Sequence, residues 1–196
     1  MSDRPLVVAI TGASGAPYAV RLLTVLERAA LPVWLVVSSH GWRLLAAECD
    51  LGDEAALRGA VGGTWDRITL FTDGDRGALP ASGSRKTLGM VICPCSMGTV
   101  AAVAHGTSRS LVERAADVTL KEGRRLVLVP RETPLSRVHL RNLSQAAEAG
   151  ATVLPAAPGF YHRPASIDDL VDFVVQRIVD QFDLPVELAP RWQGER

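Results

Sequence analysis

The sequence predicts an α/β protein in which a mostly parallel sheet lies between two layers of helices. Three observations predict it. Short apolar runs rich in branched residues alternate with segments of helical periodicity along all 196 residues. The runs are apolar throughout rather than at every second position, as strands covered on both faces must be. The chain is also 47% hydrophobic, enough for one sizeable core, and 1–196 reads as a single domain.

The elements follow in order. Val7, Val8, Ala9 and Ile10 form the first strand, over 7–10. The next turn, 11–16, sets two glycines among small residues, which allows a tight bend and close approach of backbone to a ligand. Pro17 suits the first turn of a helix over 16–29, where a missing N–H costs nothing. Strand, small turn and helix N-terminus together aim several free N–H groups at one point, the geometry of a phosphate site. Strands over 33–37, 68–71, 90–93, 126–129 and 152–154 repeat the unit. Helices over 40–49, 54–59, 98–104, 111–122, 138–149 and 167–182 cross between them. Ligands of such sheets bind beyond the carboxyl ends of the strands. The unusual loops fall there: 11–16, 38–39, 94–99, 130–134 and 155–164. Loop 74–85, rich in Gly, Pro and Ser, reads as a mobile segment or lid, and 184–196 as an extended tail packing on this or a neighbouring subunit, with Trp192 as its anchor.

Charge and composition exclude several classes. The 21 basic and 21 acidic residues are mixed along the chain, with no basic block for nucleic acid or an anionic membrane. No apolar run reaches the roughly 18 residues of a membrane span, and Met1-Ser2-Asp3-Arg4-Pro5 lacks a signal-peptide pattern. Three cysteines fit a reduced, cytoplasmic protein rather than a disulfide scaffold.

The ligand-edge motifs narrow the chemistry. A dinucleotide fingerprint needs G-x-G-x-x-G and an acidic residue ending the second strand. Here the turn is Gly12-Ala13-Ser14-Gly15 and the second strand ends in Ser38-Ser39, which suits a mononucleotide such as FMN better than NAD. A plain structural turn stays open as an alternative. The same turn nearly spells the G-x-S-x-G elbow of hydrolases, but Ala16 replaces the second glycine and no His is placed as a triad partner. Cys93-Pro94-Cys95 offers two thiols with no completing ligands, so no metal is expected. Ser96 and Thr99 open the next helix as hydroxyl donors. Lys121, Arg131 and Glu132 lie in loops where cations could hold a phosphate and a carboxylate could handle a proton, although a solvated salt bridge would look the same. Tyr161 and Arg177 carry equally ordinary readings as a loop aromatic and an exposed helix arginine.

Taken together, T-G-A-S-G-A-x-Y, A-E-C-D around Glu48, P-A-S-G-S, M-V-I-C-P-C-S, E-R-A-A-D-V-x-L-K-E, L-V-L-V-P-R-E-T-P-L, P-A-x-P-G-F-Y-H-R-P and the closing R-W resemble the UbiX-type flavin prenyltransferases, formerly described as aromatic-acid decarboxylase subunits. The match runs in order along almost the whole chain. The resemblance implies a flavodoxin-like (Rossmann-type) three-layer fold and a homo-oligomer, a dodecamer built from trimers, with active sites at subunit interfaces. It implies transfer of a dimethylallyl group from dimethylallyl monophosphate to N5 of reduced FMN. Closure onto C6 then gives prenylated FMN, the cofactor of a UbiD-type decarboxylase partner. It places Gly12, Ala13, Ser14, Ser38, Ser96, Met97, Gly98, Thr99 and Arg131 around FMN, and Tyr161, Arg177, Lys121 and Arg131 around the prenyl phosphate. Glu132 would manage a proton during ring closure, with Lys121, Glu48 and Ser14 also in the catalytic group and Arg114 in the same cationic shell. One departure stands out: Arg76-Gly77-Ala78-Leu79 occupies the place where some members carry a Trp before P-A-S-G-S, so a wall over the prenyl group is missing or supplied from elsewhere. Two other functions compete. A flavin-dependent cysteine decarboxylase of related fold would carry P-x-M-N-x-x-M-W, but the loop here reads Pro94-Cys95-Ser96-Met97-Gly98. A non-catalytic FMN-binding accessory subunit would have no need of Lys121, Arg131, Glu132, Tyr161 and Arg177 together.

Overall fold

The structure, a computed structural model, describes residues 3–191. Strands β1 (Leu6–Ile10), β2 (Val33–Val37), β3 (Ile68–Thr72), β4 (Gly89–Cys95), β5 (Arg125–Pro130) and β6 (Ala151–Val153) form one sheet. Every pairing is parallel, in the order β3-β2-β1-β4-β5-β6. The order reverses between β1 and β4, which opens a crevice beyond their carboxyl ends. The helices are α1 (Ala16–Arg28), α2 (Ser39–Cys49), α3 (Glu54–Val61), α4 (Met97–Ala104), α5 (Leu111–Lys121), α6 (Arg137–Glu148) and α7 (Ile167–Asp180). None is long and apolar enough to cross a membrane, among the described residues.

Side-chain alternation along the strands divides the core in two. Leu6, Val8 and Ile10 pack with α1, α2, α3 and α7, whereas Val7 and Ala9 pack with α4, α5 and α6. Burial on both faces explains why β1 reads as an unbroken apolar run. Six of the seven helices begin at a side chain that caps its own first turn: Ser38, Asp53, Ser96, Ser110, Ser136 and Ser166. Among the α-helices of the described residues only α1, entered through Gly15, lacks such a cap.

Two segments differ from the sequence reading. Loop 74–85 contains a 3-10 turn, Leu79–Ala81, with Pro80 and Ala81 buried. The Arg124 guanidinium donates to the carbonyls of Gly83 (2.6 Å) and Arg85 (2.8 Å), so the expected lid is fastened to the body. Beyond α7 the chain doubles back along that helix, with Leu184, Val186 and Leu188 packed against the core. Trp192 lies outside the described residues.

Candidate active site

At the reversal point, β1 and β4 are tied together. The Thr11 hydroxyl donates to the Pro94 carbonyl (3.0 Å) and accepts from the Ser96 N–H (2.9 Å). This brings the starts of α2 and α4 to one cavity of about 370 Å³, whose walls include Gly12, Ser38, Ser39, His40, Ser96 and Thr99. Ser38 Oγ accepts from the Gly41 N–H (3.0 Å) and Ser96 Oγ from the Thr99 N–H (3.2 Å), so both hydroxyls are oriented by helix capping. Two helix N-termini and several hydroxyls facing one space favour an anion such as a phosphate. Gly12 is dictated by space: a Cβ there would stand 2.5 Å from His40 Cβ.

The N-terminus of α1, which the sequence offers as the phosphate cradle, is already occupied. The N–H groups of Gly15 and Ala16 both donate to Glu48 Oε2, each at 2.8 Å. The missing cap of α1 thus comes from a residue 33 positions away, at the end of α2. The phosphate-type donors that remain oriented into the cavity belong to α2 and α4. Burial by itself pushes the Glu48 carboxyl upward, but the Gly15 N–H, the Ser14 hydroxyl, the Ala16 N–H and the nearby Arg131 together hold it below its ordinary range. Arg131 Nε donates to the Ser14 carbonyl (3.2 Å), which draws the end of β5 onto the same turn. Next to it Glu132 is exposed, its Oε1 accepting from the Thr133 N–H (3.1 Å).

Tyr161 and Arg177 meet elsewhere, at a second cavity of about 300 Å³ along α7. The Tyr161 ring stands edge-on to Phe173 (5.8 Å between centroids), and His162 stacks flat on Phe173 at 5.4 Å. Gly159 makes room for this group, since a Cβ there would come within 3.1 Å of both Phe173 and Tyr161. Arg177 Nη1 pairs with Asp180 Oδ2 (3.1 Å).

Lys121 joins neither group within one chain. It ends α5, whose other end, at Ser110 and Val112, borders the first cavity. Eleven helical residues at about 1.5 Å each put Lys121 roughly 15 Å away, near the opposite edge of the sheet. Its Nζ pairs with Glu122 Oε1, and Arg114 with Asp117 (2.7 Å). The structure therefore gathers Gly12, Ala13, Ser14, Ser38, Glu48, Ser96, Thr99, Arg131 and Glu132 at one edge, Tyr161 with Arg177 at another place, and Lys121 at a third. Met97 turns its side chain into the core, and Gly98 follows it in the first turn of α4. Sequence reasoning missed His40, Asp73, Ser110 and Glu113 on the first cavity's wall. Asp73 follows β3 and receives the Val112 N–H on Oδ1 (3.0 Å), a contact between distant segments that no local motif signals.

The whole chain resembles proteins of one kind. A family model described as Flavoprotein matches residues 1–179. The flavin prenyltransferase UbiX of Pseudomonas aeruginosa is 47% identical over 198 residues, covering 97% of this chain and 94% of that protein. A crystal structure of AnUbiX (PadA1) in complex with FMN and dimethylallyl pyrophosphate superposes with a TM-score of 0.91 at 40% identity, covering both chains fully. A dodecameric FMN-dependent UbiX-like decarboxylase from Escherichia coli O157:H7 gives a TM-score of 0.88 at 40% identity, covering 97% of this chain and 100% of that one.

Proposed function

The chain belongs to the flavoprotein family, among its UbiX flavin prenyltransferases, and on that premise we propose how its own residues perform prenyl transfer to reduced FMN. The observation that carries the reading is the cavity at the β1–β4 reversal, where α2 and α4 present their N-termini and hydroxyls. It fits a flavin mononucleotide: Ser38, Ser96 and Thr99 can hold the phosphate, and the bare backbone of Gly12 lets a ligand approach closely.

Bound there, reduced FMN supplies the electron-rich N5 and C6 that accept the dimethylallyl group. The remaining work falls to side chains. Ionisation of dimethylallyl monophosphate breaks the C–O bond, and its electron pair leaves with the phosphate. Arg177, Tyr161, Lys121 and Arg131 stabilise that charge by charge-assisted hydrogen bonds. Glu48 fixes the start of α1 and the Ser14 turn, and Ser14 faces the region where flavin and donor meet. Glu132, exposed at the end of β5, moves the proton that ring closure requires. Because Lys121 and the Tyr161–Arg177 pair lie away from this edge in a single chain, the complete site is assembled between subunits of a homo-oligomer, read here as a dodecamer. The product serves a UbiD-type decarboxylase. Cys49, Cys93 and Cys95 are all free thiols, which suits a reducing cytoplasm.

The test is anaerobic incubation of the full chain with reduced FMN and dimethylallyl monophosphate. A flavin heavier by one prenyl unit is expected in the mass spectrum. Unmodified FMN, with binding confirmed, would overturn the assignment.

A further inference from the structure

Gln176 is a polar residue on the inner side of α7, only 4% exposed. Burying a side-chain amide without partners is costly, and every polar group of this one is used. Its Oε1 accepts from the Leu188 N–H (2.6 Å), and its Nε2 donates to the Val186 carbonyl (3.0 Å) and to Asp180 Oδ1 (2.9 Å). One side chain therefore binds the tail's backbone on both sides of Glu187 and fixes its path along α7. Further along that path, Arg191 Nη2 and Nη1 reach Asp180 Oδ1 (2.9 Å) and Oδ2 (3.4 Å). Asp180 Oδ2 also accepts from Arg177. Two guanidiniums thus share one carboxylate at the cavity that Tyr161 lines, and Arg191 is part of its wall. Glu187 is the other acid nearby, 3.8 Å from Arg191 Nε but 83% exposed, so water screens it. Each guanidinium has five N–H donors in a fixed fork, and Asp180 engages only some of them. The unused donors, with the tyrosine beside them, suit a phosphate.

We infer that Arg191 is a binding residue for the prenyl donor's phosphate, a second guanidinium beside Arg177 delivered by the tail through the Gln176–Asp180 clasp. This rests on reading the Tyr161–Arg177 cavity as the donor site, and the ligand class is an allylic monophosphate. Arg191→Gln raises the KM for dimethylallyl monophosphate about tenfold or more, the scale of a lost charged hydrogen bond, and leaves FMN affinity unchanged. Arg191→Lys falls between, because it keeps the charge and loses the fork.

The measurement is steady-state kinetics of the full-length protein, repeated in an Asp180→Asn background. If Arg191 touches phosphate, its substitution still raises KM there. If it only neutralises Asp180, the defect disappears and the assignment falls. Arg177→Ala separates the two levels of the reading. A raised KM for Arg177→Ala with no change for Arg191→Gln removes Arg191 alone, whereas no change for Arg177→Ala removes the cavity's role itself.

Discussion

The flavin edge and the donor cavity are built in opposite ways. The edge at Thr11, Ser38 and Ser96 is made of strand ends and helix starts, and its hydroxyls are oriented by capping bonds within one chain. The donor groups are long side chains on helices and loops. Tyr161 stands against α7, which carries Arg177, and Lys121 ends α5 roughly 15 Å from the first cavity. Backbone-built sites are complete as soon as the chain folds. Sites made of scattered cations need a further step, and in the proposed homo-oligomer a second copy of the chain supplies it. The division matches the chemistry, because FMN can be held before the donor arrives.

The hardest test of this contrast is Glu132→Gln. The carboxyl lies on the finished edge, so the variant should bind FMN normally and yet lose turnover by about 10²–10⁴, the usual contribution of a positioned proton-transfer group. Stopped-flow flavin spectra with product mass measurement check it. Normal product formation would remove Glu132 from the chemistry.

Next in size are Lys121→Ala and Arg177→Ala, which should raise the donor KM about 10–100-fold while FMN affinity holds, since each removes a charged hydrogen bond to phosphate. Lys121 also tests whether sites are shared. At donor concentrations far below the raised KM, co-refolded mixtures of Lys121→Ala with Glu132→Gln should be more active than either parent, because some mixed sites receive both native residues. Mixtures no more active than the parents would mean that each chain completes its own site.

What the sequence disclosed follows the same division. Every strand and helix was legible within a few residues, because burial on both faces leaves continuous apolar runs and serines mark five helix starts. The proposed flavin edge carries the same signals: Ser38 and Ser96, expected from the sequence to hold FMN, are both helix caps. Contacts between distant segments were not. Glu48 was expected, through the resemblance, in the catalytic group, yet it closes the start of α1 and takes the N–H groups expected to hold phosphate. Loop 74–85 looked mobile because Gly, Pro and Ser dominate it, and the anchor that fastens it, Arg124, lies some forty positions on. Gln176 carries no signal in the sequence, and the tail's return along α7 explains its burial.

A smaller effect is expected from Gly12→Ala, which touches the backbone-built side alone. The new Cβ would sit 2.5 Å from His40 Cβ, so FMN affinity should fall about tenfold and the fold should lose about 1–3 kcal/mol, the usual range for overpacking. The conflict is with a Cβ, so His40→Ala in the same chain should not relieve it, whereas His40→Gly should. Titration of FMN into the three variants decides the matter, and equal recovery by both His40 substitutions would contradict the geometry. Donor KM should stay near its native value throughout.

The smallest effect is a pH dependence that belongs to the flavin edge. Glu48 keeps its charge in the folded protein because the hydrogen bonds from Gly15, Ser14 and Ala16 outweigh the burial that opposes it. A carboxyl whose folded pKa lies below its unfolded value stabilises the fold above the unfolded value of about 4.5, and that stabilisation is lost as pH falls through the folded one. The melting temperature of the native protein should therefore exceed that of Glu48→Gln by a margin that is constant near pH 7 and shrinks below about pH 4.5. Water screens this carboxylate, so the margin should stay under about 4 °C. A margin that widens as pH falls would mean that the folded protein favours the protonated carboxyl, and the Gly15–Ala16 cap would then not be what holds the turn.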